Sequence, residues 1–172
     1  MSIIGLTGGI GSGKTFISKI FNSNNVFVIF DSDLCAKQIM ENNSDVIFND
    51  KSKLNELNKI VHPKVLHEFE KFKSSNLNKI IIIESAILFE TGIYLQTNYN
   101  ILVTAPIKER INRVVFRDKI SKLDVLKRIN SQWKDSKKIG LADFVINNID
   151  KLETEKIVKQ LIVDLISRYE KN

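Results

Sequence analysis

The sequence contains few of the residues that mark several other protein classes. One cysteine, Cys35, among 172 residues cannot form an internal disulfide, which is typical of proteins in a reducing compartment. Two prolines and seven glycines exclude collagen-like and low-complexity chains. The longest purely aliphatic run, Ile80–Ile83, is far shorter than the ~20 residues that span a bilayer, and no basic, apolar leader is visible. We therefore expect a cytoplasmic protein without a membrane partner.

Glycine and charge are both unevenly distributed along the chain. Five of the seven glycines lie within the first 13 positions, and this clustering indicates unusual backbone geometry there, because glycine weakens regular structure. The formal net charge of +6 is also local, since 11 basic and 4 acidic residues lie between Lys108 and Lys138. We call Lys108–Lys138 the basic segment. The rest of the chain is close to neutral.

Five short apolar runs alternate with helical stretches. The runs are nearly continuous, which is typical of strands covered on both faces, and they are Ile3–Leu6, Val26–Phe30, Ile80–Ile83, Ile101–Val103 and Phe144–Ile146. Strands alternating with helices predict parallel βαβ units, and hence a three-layer α/β domain whose five-stranded parallel sheet is flanked by helices. We interpret residues 1–172 as one domain, in which residues about 41–77 form a helical insert and the basic segment forms a lid.

Three local signals predict where helices begin or break. Pro63 disfavours helical backbone at His62, so the stretch Lys51–Leu77 is predicted to form two helices. Ser121 with Asp124 has the spacing of a capping box and predicts a helix that reaches Trp133. Asp150 and Glu153 are placed to cap a C-terminal amphipathic helix.

The residues Gly8–Thr15 match the phosphate-binding pattern G-x-x-x-x-G-K-[ST], after an apolar strand and at the start of a helix. Glycines allow backbone N–H groups to converge on phosphate oxygens. Lys14 can then reach the β- and γ-phosphates, and the Thr15 hydroxyl can ligate Mg²⁺. A glycine-rich turn that only starts a helix is the alternative. We predict nucleotide binding.

The type of phosphate-loop protein can be narrowed further. GTPases recognise guanine with an N-K-x-D element, and neither Asn58-Lys59-Ile60-Val61 nor Asn78-Lys79-Ile80-Ile81 supplies the aspartate. The chain is also too short for a motor or transporter ATPase with its accessory modules. What remains favours the P-loop kinase fold and a small-molecule kinase.

Acidic residues follow two of the predicted strands. Asp31 and Asp33 come after the second strand, and Glu84 ends the third. Because ligands gather at the carboxyl ends of parallel strands, these carboxylates can orient an acceptor hydroxyl or hold Mg²⁺ and its water. Two alternatives stay open: Asp31 and Asp33 are also good helix caps, and Glu84 can be an ordinary exposed acid.

Three arginines of the basic segment share one helix face. Arg110, Arg113 and Arg117 have i, i+3, i+7 spacing, and guanidinium groups on one face can neutralise charge on a transferring phosphoryl group. A lid of this kind also excludes water. A solvated helix face and a nucleic-acid patch are the alternatives, although Phe116 and Trp133 are too sparse for a stacking platform.

The order of these residues resembles the dephospho-CoA kinase family over roughly residues 1–148. The residues that carry the resemblance are Gly5–Lys14, Asp31-Ser32-Asp33 with Ala36, His62-Pro63, Leu88-Phe89-Glu90, Arg113, Arg117-Asp118, Gln132, Ala142-Asp143, Val145-Ile146 and Asn148. The chain has Thr15-Phe16 where the family usually has Ser-Thr, and Glu84 where it usually has Asp. Between Asp33 and His62 it is shorter than is usual in the family.

The resemblance implies ATP-dependent phosphorylation of the ribose 3′-hydroxyl of dephospho-CoA, the last step of coenzyme A synthesis. The catalytic residues would be Lys14, Asp33 as the base, and the lid residues Arg113 and Arg117. The acceptor would be held by Asp33, His62 and Glu90, and Mg²⁺ by Thr15; Glu84 and Asp31 are added to the Mg²⁺ residues because they end neighbouring strands. The residues implied to bind ATP are Gly9, Gly11, Ser12, Gly13, Lys14, Thr15, Phe16 and, near the adenine, Asn148.

Two other functions remain open from the sequence. The shorter insert is compatible with a P-loop kinase that acts on another nucleoside, nucleotide or small molecule. The basic segment is compatible with a nucleotide-dependent nucleic-acid binder, although we expect no nucleic-acid partner.

Overall fold

The computed structural model describes residues 2–41 and 51–169, and for residues 51–60 it describes the backbone alone. Within these ranges the chain forms a five-stranded sheet in which every neighbouring pair is parallel. The strands are β1 (Ile3–Thr7), β2 (Phe27–Asp31), β3 (Ile80–Ser85), β4 (Tyr99–Thr104) and β5 (Phe144–Asn147), in the spatial order β2-β3-β1-β4-β5. The predicted strands and the parallel sheet are confirmed.

Helices make the connections that parallel strands require. They are α1 (Lys14–Asn22), α2 (Ser32–Glu41), α3 (Lys51–Ser74), α4 (Ile107–Asp118), α5 (Lys122–Asn130), α6 (Asp135–Ile139) and α7 (Lys151–Tyr169), with a short 3₁₀ helix at Ile93–Gln96. The part of the predicted insert between residues 42 and 50 lies outside the described residues. Of the described helices, none is long and apolar enough to cross a membrane.

Strand β3 divides the hydrophobic core into two clusters, because successive side chains of a strand point to opposite faces. Ile80 and Ile82 belong to one cluster with α1 and α7, and Ile81 and Ile83 belong to the other with α3. Burying each such side chain fully contributes about 1.5–3 kcal/mol. Helices therefore cover both faces of the sheet, which confirms the three-layer architecture.

Helix α3 runs without interruption through Pro63, so the predicted break at His62-Pro63 is wrong. A proline inside a helix removes one hydrogen bond and crowds the preceding turn. Val61, Val65 and Phe69, at i, i+4 and i+8, are all buried against the sheet. Packing of this apolar face offsets the cost of Pro63, since tertiary contacts supply most of the stability of protein helices.

Capping residues fix the ends of two later helices. The Ser121 hydroxyl accepts from the N–H of Asp124 at 3.1 Å, and Asp150 Oδ1 accepts from the N–H of Glu153 at 2.8 Å, both as predicted. The helix expected to reach Trp133 ends instead at Asn130. The Trp133 N–H donates to Glu90 Oε1 at 3.0 Å, a bond to a distant residue that does not continue the helix.

The carboxyl ends of β1, β2 and β3 lie at one edge of the sheet. Asp31 at the end of β2 pairs in register with Glu84 of β3, and Glu84 pairs in register with Leu6 of β1. The loop after β1 and the acids that end β2 and β3 are therefore neighbours.

Candidate active site

The loop between β1 and α1 follows a path that needs glycine. Gly11 has a φ of 78° and Gly13 a φ of 99°, in the left-handed region that residues with a Cβ rarely adopt. A Cβ on Gly13 would also collide with Nδ2 of Asn148. These two glycines are thus required by the backbone conformation and by the close approach of a neighbouring side chain.

The N–H groups at the start of α1 are free to bind an anion. Within the described residues, no acceptor binds the backbone N–H groups of Gly11, Gly13, Lys14 and Thr15. By contrast, the N–H of Ser12 donates to the Gly9 carbonyl at 3.0 Å and the N–H of Phe16 to the Gly13 carbonyl at 3.0 Å. Free N–H groups at a helix N-terminus form an anion site. Ser12 and Phe16, predicted to bind ATP, use their N–H groups inside the loop.

Side chains from distant elements hold the loop in place. Arg110 Nε donates to the Ile10 carbonyl at 2.9 Å, and Gln132 Oε1 accepts from the Ile10 N–H at 2.9 Å. Asn148 Nδ2 donates to the Ser12 carbonyl at 2.8 Å. These bonds occupy carbonyl groups of the loop and the Ile10 N–H, and they leave the four donors free.

The sequence predicted Arg110 as part of a face that neutralises phosphoryl charge and gave Gln132 only as part of the family resemblance, but in the structure both residues hold the loop. Arg110 is 4% exposed and lies 3.3 Å from Asp135 through Nη1 and Oδ2. Its helical spacing from Arg113 was the available signal. Gln132 is separated from Ile10 by 122 positions, so no local pattern could indicate their contact.

Lys14 lies between the loop and the acidic residues. Its Nζ donates to the Gly8 carbonyl at 2.9 Å, and its side chain is buried. Burial lowers the pKa of Lys14, and the nearby charges of Asp33 and Glu84 act in the opposite direction. The ammonium is therefore positioned between the phosphate-binding loop and two carboxylates.

A cavity of about 370 Å³ brings the predicted residues together at the carboxyl edge of the sheet. The predicted site residues among those that line it are Gly11, Lys14, Thr15, Asp31, Asp33, Glu84 and Arg117. With Lys37, which also lines the cavity, three carboxylates, two ammonium groups and one guanidinium thus face a space that adjoins the free N–H groups of the loop. Such a site can hold a phosphate chain on the loop donors, with the carboxylates of the protein beside it.

Loss of hydration raises the pKa of two of the carboxyl groups in this cavity. Asp33 is exposed as a residue, but its carboxyl accepts from the Ala86 N–H at 3.0 Å through Oδ2 and at 3.2 Å through Oδ1 beside the protein surface. Partial loss of hydration raises the pKa of this carboxyl against the opposing effect of Lys14. Glu84 Oε1 accepts from the Thr15 hydroxyl at 3.2 Å. Burial raises the pKa of Glu84, while the Ser18 hydroxyl and Lys14 lower it.

Asp31 fits both interpretations that the sequence left open, a helix cap and a carboxylate of the site. Its Oδ1 accepts from the N–H of Leu34 at 2.9 Å, in the first turn of α2, as a capping residue does. The same residue lines the cavity that contains Lys14 and Thr15.

The basic helix α4 presents two arginines to the loop region and one to the cavity. Arg113 Nη2 donates to the Asn148 carbonyl at 2.9 Å, and its Nη1 lies 3.3 Å from the Ser12 carbonyl. Arg117 lines the cavity, and its guanidinium also binds Asp118 through Nε and Oδ1 at 2.6 Å. The arginine face predicted from the spacing is thus directed at the phosphate-binding loop and its cavity.

His62 lies in a second, smaller pocket of about 70 Å³ between α2, α3 and the end of β3. Asp33 lines this pocket as well as the larger cavity, so it lies between the two. Val61, Val65 and Ile93 make part of the pocket wall apolar.

Glu90 is placed differently from the other predicted residues. Its Oε1 lies 2.7 Å from Nζ of Lys138 and accepts from the Trp133 N–H at 3.0 Å. It does not line either the larger cavity or the pocket that contains His62. Its contacts connect the turn after β3 with the end of the basic segment.

The described residues contain no cluster of three or more His, Cys, Asp or Glu side chains that could hold a metal ion. The hydroxyl of Thr15 and the carboxylate of Glu84 are nonetheless adjacent and face the cavity. Oxygen ligands of this kind suit Mg²⁺, which usually keeps several waters and binds phosphate together with one or two protein ligands.

Comparison with known proteins connects this geometry with one family. The sequence profile of the dephospho-CoA kinases matches residues 2–47 and 43–154. A dephospho-CoA kinase from Fusobacterium nucleatum is 34% identical over 177 aligned positions, which cover 88% of this chain and 91% of that protein.

Solved structures agree on the fold. The crystal structure of TT1252 from Thermus thermophilus matches with a TM-score of 0.84 and 28% identity, covering 95% of this chain and 97% of that one. A shikimate kinase from Bacteroides thetaiotaomicron matches with a TM-score of 0.62 and 17% identity, over 95% of this chain and 98% of that one, and shows the fold alone.

Proposed function

Because the chain belongs to the dephospho-CoA kinase family, we propose that the loop Gly8–Thr15, Asp33 and helix α4 carry out the ATP-dependent phosphorylation of dephospho-CoA. The acceptor is the ribose 3′-hydroxyl, and the products are coenzyme A and ADP. The observation that carries the proposal is the position of Asp33, which lines both the cavity of Lys14 and the pocket of His62. One carboxylate thus separates a phosphate site from a second binding space.

ATP binds on the loop side of the site. The free N–H groups of Gly11, Gly13, Lys14 and Thr15 converge at the N-terminus of α1, where the helix dipole also favours negative charge. The Lys14 ammonium reaches the β- and γ-phosphates. Asn148, whose amide and carbonyl bond to the Ser12 carbonyl and Arg113, lies beside the adenine.

Mg²⁺ fits the residues on the floor of the cavity. The Thr15 hydroxyl would ligate the ion, while Glu84 and Asp31 would bind its water shell. When bound, the ion neutralises charge on the phosphate oxygens and orients them.

Asp33 orients the acceptor hydroxyl and receives its proton. The hydroxyl oxygen forms a bond to the γ-phosphorus, the bond from that phosphorus to the β,γ-bridging oxygen breaks, and ADP leaves with the electron pair. The raised pKa of Asp33 brings its carboxyl closer to a working pH, as suits a general base. Arg117 and Arg113 neutralise charge on the transferring group.

An assay with several candidate acceptors tests this activity directly. Purified protein with ATP and Mg²⁺ is given dephospho-CoA, adenosine or shikimate, and ADP release is coupled to identification of the product by mass. We expect phosphorylation of dephospho-CoA with a kcat/KM far above that for the other two acceptors. Faster phosphorylation of adenosine or shikimate would contradict the proposed acceptor and leave a P-loop kinase of other specificity.

A further inference from the structure

Lys138 of α6 is a fully buried lysine to which the proposed phosphate site assigns no contact. Its side chain is 0% exposed, and lysine is almost never buried without partners. It does not line the cavity that contains Lys14. Its position therefore needs another explanation.

The Lys138 ammonium binds two groups in the turn after β3. Nζ lies 2.7 Å from Glu90 Oε1 and donates to the Ala86 carbonyl at 3.2 Å. Glu90 Oε1 accepts from the Trp133 N–H as well, so the carboxylate joins the ammonium to the chain that precedes α6. A buried charge is stable when it is paired and hydrogen-bonded in this way.

The backbone of Ala86 connects Lys138 with Asp33. Its carbonyl accepts from Lys138, and its N–H donates to the Asp33 carboxylate at 3.0 Å and 3.2 Å. Ala86 thus has both of its backbone polar groups bound, one on each side, by ionisable side chains. A displacement of this short turn would move the donor that fixes the Asp33 carboxylate.

We propose that Lys138 is a positioning residue, which holds the main chain at Ala86 so that Asp33 is directed at the acceptor hydroxyl. The inference rests on the proposed role of Asp33 as the base. Lys138 acts through Ala86 and touches neither substrate.

The first test replaces the ammonium by an apolar side chain of similar length. Lys138→Met should lower kcat about 10- to 100-fold, because a small misplacement of a reacting group has effects of this size. The Kd for ATP, measured by calorimetry, should stay within about twofold, because the loop donors are unchanged. Lys138→Arg should restore most of kcat, and Lys159→Met, at an exposed lysine of α7, serves as the control.

A double-mutant cycle separates this role from a general structural one. In the Asp33→Asn background, Lys138→Met should cause no further loss of kcat, because it acts through the group already removed. Additive losses would overturn the inference. A kcat for Lys138→Met equal to that of the parent, beside a severely impaired Asp33→Asn, would overturn the inference and leave the proposed function intact. A fully active Asp33→Asn would instead contradict the proposed base.

A second variant tests the proposal in the event that Lys138→Met does not fold. If Lys138→Met fails to fold because Glu90 loses its partner, Lys138→Met with Glu90→Gln removes both charges of the pair. This double variant should fold, bind ATP as the parent does and show the same loss of kcat. Parental kcat in a folded double variant would overturn the inference.

Discussion

The two sides of the site are built in different ways. On the donor side, the loop Gly8–Thr15 offers backbone N–H groups, and its carbonyls are bound by Arg110, Arg113 and Asn148. On the acceptor side, Asp33 and His62 offer side chains around a pocket of about 70 Å³, against about 370 Å³ for the donor cavity. In the proposed function, the donor side recognises phosphate with main-chain N–H groups, while the acceptor side depends on individual side chains from α2 and α3.

This difference has a consequence for mutations. Apart from replacement by proline, substitution leaves the backbone donors in place, so the donor side is sensitive mainly to changes of backbone conformation and of Lys14. The acceptor side is sensitive to changes of single functional groups. The predictions that follow test this contrast, from the largest expected effect to the smallest.

Removal of the proposed base should have the largest effect. Asp33→Asn keeps the size of the side chain but cannot accept the proton, and we expect kcat to fall about 10²–10⁴-fold. The Kd for ATP in calorimetry should change little. The control is Asp164→Asn, at an exposed aspartate of α7. Undiminished turnover in Asp33→Asn would remove this residue as the base.

Removal of the buried ammonium should affect the donor side nearly as strongly. We expect Lys14→Ala to lower kcat about 10²–10³-fold, because it removes a fixed positive charge at the transferring phosphate. Thermal unfolding should occur at the same or a higher temperature, because burial disfavours the charge of Lys14. Lys19→Ala, at an exposed position of the same helix, should behave as the parent. An equal loss of kcat in Lys14→Ala and Lys19→Ala would argue against a specific role of Lys14.

A methyl group in the loop should distort the donor side. Gly13→Ala forces a residue with a Cβ to a φ of 99° and against Asn148, so we expect about 1–3 kcal/mol of strain together with weaker ATP binding. Gly140→Ala is the matched control, since nothing lies within 4 Å of its added Cβ. Unchanged ATP affinity in Gly13→Ala would contradict a preorganised loop.

The pH dependence should reveal the raised pKa of the Asp33 carboxyl. Because its pKa is raised, kcat should decline on acidification at a pH above that at which an exposed aspartate gains its proton. A raised carboxyl pKa contributes stability at low pH that is lost as the pH rises through the folded-state pKa. Asp33→Asn should therefore be at least as stable as the parent at pH 8 and lose that advantage on acidification. A difference in the free energy of unfolding between Asp33→Asn and the parent that is the same at all pH values would contradict this expectation.

Loss of the imidazole should affect only the acceptor side. We expect His62→Ala to raise the KM for dephospho-CoA about 5- to 10-fold, the loss of roughly one hydrogen bond, with the KM for ATP unchanged. His67→Ala, exposed on the same helix, is the control. A larger effect on the KM for ATP would place His62 outside the acceptor site.

Much of the fold could be predicted because its signals are local. Continuous apolar runs such as Ile80–Ile83 identify strands buried on both faces, and Ser121 and Asp150 identify helix starts. The break expected at Pro63 was wrong, because the local preference was overridden by the packing of Val61, Val65 and Phe69. Local rules do not include such distant contacts.

The sequence by itself determined the phosphate-binding loop, since eight contiguous residues fix both the backbone path and the position of Lys14. It also placed carboxylates at strand ends, where a parallel sheet brings them together. Only the tertiary structure decided which side chains hold that loop, and that Glu90 and Lys138 form a buried pair beside Ala86. The physical reason is distance along the chain, because contacts such as Ile10 with Gln132 or Ser12 with Asn148 join residues more than 100 positions apart.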